Sequence, residues 1–445
     1  MPPPSAPNQP PLHKTSYSHP YETHTVLLTG STGSLGSVLL YKLTQQLPTH
    51  KIYLLIRSSP ATAETKWLKT MPTQAPAILS TPALHFVTGD MRKEDFGIEP
   101  PTLQTLQDEV TLIIHAAAKI KLDADVVEAV ENNCLPALEL ARMAGRFRRL
   151  KLFVQVSTAY VNSFMPDGWV GERLYTLQHY LSRSHSASNS STSASEPDAP
   201  APADTDTDTD TDADPEEELT TLLHTKSSPH TANFSSTYTQ AKYLMERLLL
   251  TRHPLLPLLL LRPTIFGPAV RDPYPLYGPE DSTPLRKFAT LYFSDPGSTQ
   301  IWHAAAGYKT GTNVLDEIPV DFVANACLIH AAAGTKGIVH VGSQLYVPMT
   351  FDGMLEIIRR NVPREVWGEL PRVVFVEDRD APQSILAEVV KVGTRNWVFD
   401  CGRSYWIKGL GGPLGVGACG HDAERLNGER VREAWERVRR REGKL

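Results

Sequence analysis

Thr25-Val-Leu-Leu-Thr-Gly-Ser-Thr-Gly-Ser-Leu-Gly36 decides the fold. A short run of β-branched and leucine residues ends at Gly30. Three glycines then alternate with pairs of other residues, and an amphipathic segment continues from Leu35 to Leu47. Lys51-Ile-Tyr-Leu-Leu-Ile-Arg57 reads as a second strand. Strand, glycine turn, helix and strand make a βαβ unit, which implies a parallel sheet with a right-handed crossover. Glycines here allow a tight turn, close approach of the backbone to a pyrophosphate, and close helix–strand packing. The helix N-terminus adds unpaired N–H groups and the positive end of its dipole. Gly30, Ser31, Thr32, Gly33, Leu35 and Gly36 are therefore candidate dinucleotide contacts.

The alternation continues outward. Strands are expected at Leu84 to Thr88, Thr111 to His115, Leu150 to Val156 and Leu256 to Arg262, and a helix from Asp125 to Phe147. This order predicts an α/β class: a Rossmann-like doubly wound parallel sheet with a smaller C-terminal substrate region. Residues 1–20 read as a proline-rich disordered leader and 21–270 as the nucleotide-binding domain. Residues 271–395 read as a substrate-binding region, with a strand at Gly337 to Val341 between two helices. Residues 396–445 form a short C-terminal region ending in a basic helix. Inside the nucleotide-binding domain, 182–236 holds a serine run, a repeated Asp-Thr tract and Pro215-Glu-Glu-Glu. Low hydrophobicity and dense like charge there predict a disordered insertion. The C-terminal helix puts Leu426, Val431, Trp435 and Val438 on one face, which predicts packing against the domain. A membrane-surface contact through Arg437, Arg439, Arg440 and Arg441 is the alternative.

Composition narrows the classes. With 41% hydrophobic and 21% charged residues in 445, the chain is globular rather than disordered throughout. A net charge of −5 gives no reason to expect nucleic acid as a partner. Four unevenly spaced cysteines make no disulfide framework. Cys401 and Cys419-Gly-His421 lack a second ligand pair, so no metal site is expected. The N-terminus has neither the charged nor the apolar region of a signal peptide. No stretch reaches the roughly 18 apolar residues that span a bilayer. The expectation is an intracellular protein, cytoplasmic or peripheral on an organelle membrane.

Several residues carry chemistry. The second strand ends in Arg57-Ser-Ser59, without the carboxylate that binds a ribose 2′-hydroxyl; an arginine there accommodates a 2′-phosphate, which favours NADPH. Asp90 closes the third strand, where it is placed to reach an adenine amino group or simply to make a turn. His115-Ala-Ala-Ala118 ends the fourth strand with small residues that let a cofactor lie close, nominating His115, Ala116 and Ala117. Val154-Gln-Val-Ser-Thr158 runs off the carboxyl end of the next strand, where open α/β sheets bind ligands. A hydroxyl there can hold a carbonyl oxygen as charge develops. Tyr238-Thr-Gln-Ala-Lys242 puts Tyr and Lys on one helix face. A nearby ammonium stabilises a phenolate, so Lys242 is expected to lower the Tyr238 pKa and make it a usable proton donor.

These motifs resemble those of extended short-chain dehydrogenases, and among them the fatty acyl-CoA reductases with their male-sterility-type NAD(P)-binding domain. The matching stretches are Thr29 to Gly36, Ile52 to Arg57, His115 to Ala118, Val156-Ser-Thr-Ala-Tyr-Val-Asn162, Tyr238 to Lys242, Arg262-Pro-Thr-Ile-Phe-Gly267 and Ile318-Pro-Val-Asp-Phe-Val-Ala-Asn325. The resemblance implies that Thr158 holds a thioester carbonyl, that Tyr238 protonates it, and that Lys242 tunes Tyr238 and binds the nicotinamide ribose. It also implies a supporting Asn133, with Asn132 beside it as the competing choice, and cofactor contacts at Pro263 and Thr264. The implied reaction is reduction of a long-chain acyl-CoA by NADPH to aldehyde and then alcohol. Pro136 and Leu122 depart from the family's usual Gly and Phe. Release of a carrier-bound thioester, reduction of a small carbonyl compound, and an inactive NADP-binding scaffold are the alternatives.

Overall fold

The computed structural model describes residues 17, 19–57, 59–121, 124–178, 180, 214–278, 284–378, 380–389, 395–416, 422–441 and 443. Its centre is a seven-stranded sheet in which every strand is parallel to its neighbours. The strands are β1 (Thr25–Thr29), β2 (Lys51–Ile56), β3 (Leu84–Thr88), β4 (Leu112–His115), β5 (Leu152–Val156), β6 (Leu258–Pro263) and β7 (Gly337–Val341). They lie in the order β7-β6-β5-β4-β1-β2-β3. Strands β1, β4, β5 and β6 are buried along their whole length, because both faces are covered and apolar residues need not alternate. The edge strand β3 alternates instead.

Helices close both faces. On one face α1 (Ser34–Gln45) packs beneath the sheet. On the other lie α2 (Val126–Asn133), α3 (Leu135–Ala144), α4 (Pro215–Thr225) and α5 (Thr237–Arg252). Helix α6 (Val320–Ala332) joins α1 on the first face, its Val323, Cys327 and Leu328 fully buried.

Four features differ from the sequence expectations. The single helix from Asp125 to Phe147 is two, broken at Cys134, because Pro136 lacks an N–H and its ring excludes the carbonyl four residues back. Strand β7 and helix α6 belong to the main sheet and its cover, so the sheet extends well past 270. The end of the acidic insertion is ordered: α4 buries Leu219 and Leu222, and Glu218 pairs with Arg247 at 2.6 Å on α5. Glu216 makes two contacts of 2.6 Å with Arg252. The remainder of that insertion, 182–213, lies outside the described residues, as do 1–16 of the leader, Leu122, Cys419 and His421. Lastly, the order begins before residue 21. His19–Thr23 forms a 3-10 turn whose Tyr21 hydroxyl donates to Leu328 O at 2.8 Å.

A second core lies beyond the sheet. Helix α7 (Phe351–Arg360), helix α8 (Ala423–Arg441), the helix Pro284–Phe293 and the parallel strands Thr299–His303 and Arg372–Val376 enclose it. Val431 and Val438 of α8 are buried there, so its apolar face is used for internal packing. Arg430 of α8 grips Glu317 with bonds of 2.6 and 2.9 Å. No helix among the described residues is long and apolar enough to cross a membrane.

Candidate active site

In a parallel sheet all carboxyl ends share one edge, and the glycine turn, Arg57, Asp90, His115–Ala118, Thr158 and Pro263–Thr264 all lie at or just past strand ends along it. The glycine turn follows β1. Gly30 has φ +72°, and a Cβ there would lie 2.6 Å from Ala117 N; a Cβ on Gly36 would lie 2.0 Å from Gly30 O. These two positions admit only glycine. Gly33 is more tolerant, since its Cβ would meet Gly30 O at 3.3 Å. Helix α1 starts after Gly33 with no side-chain cap, leaving its first N–H groups unpaired within the helix. Leu35 is buried in the core, Thr32 is half-buried, and the buried hydroxyls of Ser31 and Ser34 find no protein partner. Trp67 Nε1 and Ser37 Oγ donate to Ser31 O at 2.9 and 3.0 Å, which fixes the turn. A turn with two obligatory glycines, unpaired N–H groups and orphaned hydroxyls fits a dinucleotide pyrophosphate.

Around the same edge, Arg57 is exposed just past β2. Asp90 beyond β3 accepts from Arg92 N at 3.2 Å and from Arg92 Nε at 3.1 Å, and these bonds hold its carboxyl down at about 2. His115 ends β4 fully buried, its Nδ1 2.7 Å from Thr29 Oγ1; burial, and then the Lys242 charge, push its pKa down to about 3, so it is neutral. Ala117 N donates to the same Thr29 oxygen at 3.3 Å, with Ala116 and Ala117 half-buried beside the turn. Pro263 and Thr264 are buried at the end of β6, and Thr264 N donates to Val341 O.

The catalytic candidates converge on β5. Helix α5 begins with a capping box in which Ser236 and Thr239 exchange side-chain and backbone bonds. One turn apart on it, Tyr238 and Lys242 are both buried. Lys242 Nζ donates to Val156 O at 3.0 Å and lies 6.0 Å from the centre of the Tyr238 ring. Val156 is the last residue of β5, two before Thr158. Thr158 is buried and its Oγ1 accepts from Tyr160 N at 3.3 Å, which leaves its own O–H to donate. Burial lowers the Lys242 pKa to about 8, partly offset by Glu246 and Cys134. The same burial raises that of Tyr238. This is opposite in direction to the expected lowering, and its cause is burial, which takes water from the phenolate.

Asn133 and Asn132 are separated by their surroundings. Asn133 is buried; its Oδ1 accepts from Lys119 N at 2.8 Å, and its Nδ2 donates to Lys119 O at 3.1 Å and Ala129 O at 3.0 Å. Asn132 turns back on its own helix, to Glu128 O. Sequence reasoning missed the Val156 carbonyl, the partnership of Thr29 with His115, and Thr237, whose hydroxyl donates to Ala124 O at 2.9 Å. Only a hydroxyl residue beside a motif could have signalled the last two. Ser157 and Asn162, singled out only as part of the stretch Val156 to Asn162 and given no role there, carry a buried hydroxyl and amide with no protein partner. Asp321, from the Ile318-Pro-Val-Asp stretch, accepts from the backbone N–H of Val270, Arg271 and Asp272 and so shapes that turn. Among the described residues no group of His, Cys, Asp and Glu is placed to hold a metal.

A Rossmann sheet with a glycine-turn dinucleotide cradle and a buried Tyr–Lys pair at its carboxyl edge defines a nicotinamide-dependent oxidoreductase of the short-chain dehydrogenase type. The profile of the family described as "Male sterility protein" matches residues 28–327, well over half of the chain, and the chain belongs to that family. "Probable fatty acyl-CoA reductase 5" of Arabidopsis thaliana is 26% identical over 363 residues, covering 76% of this chain and 70% of that protein. "Fatty acyl-CoA reductase 2" of Mus musculus is 31% identical over 150 residues, 32% of this chain and 29% of the mouse protein. Among solved structures, the terminal R domain of the myxalamid PKS-NRPS pathway shares the fold at a TM-score of 0.59 and 19% identity, covering 95% of this chain and 92% of that one.

Proposed function

We propose that the chain reduces long-chain fatty acyl-CoA thioesters with NADPH, first to the aldehyde and then to the alcohol. The observation that carries it is the Lys242 bond to Val156 O, which brings the Tyr238–Lys242 pair to the strand end bearing Thr158. The names of the relatives supply the substrate class.

The cradle Gly30, Ser31, Thr32, Gly33, Leu35 and Gly36 would hold the pyrophosphate of NADPH and Arg57 its 2′-phosphate, with Asp90 near the adenine. His115, Ala116, Ala117, Pro263 and Thr264 would line the nicotinamide half, and Lys242 would reach its ribose. Bound NADPH supplies the hydride. Thr158 donates a hydrogen bond to the thioester oxygen as negative charge gathers there. Tyr238 gives that oxygen a proton, its raised pKa keeping the phenol protonated at neutral pH. The hemithioacetal gives the proton back as its C–S bond breaks and coenzyme A leaves as thiolate, and a second hydride and proton take the aldehyde to the alcohol. Lys242 is an ammonium below about pH 8 and stabilises the phenolate left behind. Asn133 fixes the backbone beyond β4, and the second core covers the acyl chain.

The test is NADPH consumption with acyl-CoA of graded chain length, products identified by mass spectrometry, in the native chain and in Tyr238→Phe. The variant is expected to lose about 10²- to 10⁴-fold in turnover while retaining NADPH binding. Undiminished turnover removes Tyr238 from proton transfer. Reduction of a carrier-bound thioester without any of acyl-CoA replaces the substrate assignment with reductive release.

A further inference from the structure

One wall of the second core is a pair of parallel strands, β8 (Thr299–His303) and β9 (Arg372–Val376), with Val374 beside Ile301 and Val376 beside His303. Arg372 N donates to Ser298 O, and Val376 O accepts from Ala304 N, both at 2.8 Å. Alternation along a strand then turns the backbone groups of Arg372, Val374 and Val376 toward β8. Those of Val373 and Phe375 point the other way, and among the described residues neither their N–H nor their C=O has a partner. The β7 edge of the main sheet is different. There Arg403 Nη2 donates to Lys336 O and Glu172 Oε1 accepts from His340 N, both at 2.7 Å. Side chains close that edge, whereas the β9 edge is open.

The open edge is apolar and firmly seated. Val373 and Phe375 pack on the second core, the Phe375 ring edge-on to Trp302 with 5.8 Å between centres. Val374 and Val376 therefore face outward, half-buried, beside Ile301, which is 37% exposed. Such an edge can accept a further strand. Its flanks decide which one. Arg372 begins the strand; Glu377 and Asp378 follow its end, with Asp380 just beyond. Arg372, Glu377 and Asp378 are exposed, and none forms an ion pair among the described residues. Flanking charges of one sign would repel any second copy. Opposite signs at the two ends repel only a parallel copy and attract an antiparallel one.

We propose that β9 is a dimer edge, pairing antiparallel with β9 of a second copy of this chain about a two-fold axis at Phe375. A ladder forms only where outward-facing residues meet one another. Centring on Phe375 meets that condition, setting Val373 opposite Glu377 and Val374 opposite Val376. Arg372 and Asp378 stand three residues either side of Phe375, so each arginine reaches the acidic end of the other strand. Centring on Val374 would set Arg372 opposite Val376 and lose that attraction. A two-fold contact must be self-complementary, and this distribution of charge is. The product is a four-stranded sheet with Ile301, Val374 and Val376 of both copies on one outer face. Strands of five residues bury little surface, so a dissociation constant of about 1–100 μM is expected.

The experiment is sedimentation velocity on the full chain from about 1 to 100 μM. The native chain should pass from monomer to dimer across that range. Arg372→Glu, and separately Glu377→Lys/Asp378→Lys, set like charges against one another at both ends and should weaken the dimer by about tenfold or more. An equimolar mixture of these two variants restores opposite charges at both ends and should dimerise about as well as the native chain, which misfolded variants would not do. Amide exchange at Val373 and Phe375 should slow as the native chain is concentrated. A native chain that stays monomeric overturns the proposal. So does a dimer that Arg372→Glu leaves unchanged, a mixture that fails to associate, or a dimer without slowed exchange at Val373 and Phe375.

Discussion

Replacing Glu246 by glutamine should remove a large share of the protein's stability. Glu246 and Arg262 are both completely buried, one on α5 and the other on β6. Arg262 Nε reaches the two carboxylate oxygens at 3.0 and 3.1 Å, and its Nη1 donates to Arg173 O at 2.8 Å. Glutamine keeps the shape but removes the charge, so the guanidinium stays out of water with only neutral acceptors. Breaking a buried pair in this way costs about 3–5 kcal/mol, against a net stability of about 5–15 kcal/mol for a folded domain. Glu246→Met/Arg262→Met removes both charges and should recover most of that loss, because no uncompensated ion remains. Urea unfolding followed by tryptophan fluorescence reads these variants with Glu246→Met and Arg262→Met, and the cycle of the methionine variants isolates a coupling above about 2 kcal/mol. A single-variant loss below about 1 kcal/mol, or a double variant no more stable than the single one, refutes the argument. Glu246 also lies one turn from Lys242 and supports its charge, so the single variant should lower the Lys242 pKa below its value of about 8.

Gly36→Ala should weaken NADPH binding more than Gly33→Ala. The first forces the turn apart by a contact of 2.0 Å and the second has 3.3 Å to the same oxygen. Overpacking of the first kind costs about 1–3 kcal/mol, or about 5- to 150-fold in affinity by fluorescence titration; equal losses would show that the glycines act otherwise. Arg57→Ala should reduce the preference for NADPH over NADH by about tenfold or more in kcat/KM, and an unchanged ratio removes Arg57 from 2′-phosphate recognition. Glu172 accepts from the backbone N–H of His340 and Arg403 at 2.7 and 2.8 Å, and burial raises its pKa from 4.5 to about 7. The folded state thus holds the extra proton between pH 4.5 and 7, so this group's contribution is full below 4.5 and lost as pH rises through 7. The Tm of Glu172→Gln minus that of the native chain should therefore climb across that window, by the equivalent of at most about 3 kcal/mol; a flat difference contradicts the shift.

Much of this was legible in the sequence because it depends on local pattern. Val26, Leu27 and Leu28 mark a strand buried on both faces, and Gly30 and Gly36 announce a turn that no other residue can make. The remainder depends on what touches what across the chain. Leu219 and Leu222 look solvated beside three glutamates, and only the core they share with Leu244, Leu248 and Leu249 of α5 explains why they are buried. Gly337 to Val341 reads as a strand, but its partner β6 lies some eighty residues away and periodicity names no partner. The Tyr238 pKa went the other way because spacing shows a lysine nearby and does not show the absence of water.

The parallel pairing of Gly337–Val341 with Leu259–Pro263 has a practical side. The family match stops at residue 327, inside α6, before that strand begins. A fragment cut there would keep every catalytic candidate yet leave Leu258-Leu-Leu-Leu261 as a bare sheet edge, an open template for pairing between molecules. The boundary by which the family is recognised and the boundary of the smallest soluble piece therefore fall in different places, and a fragment ending at 327 should aggregate.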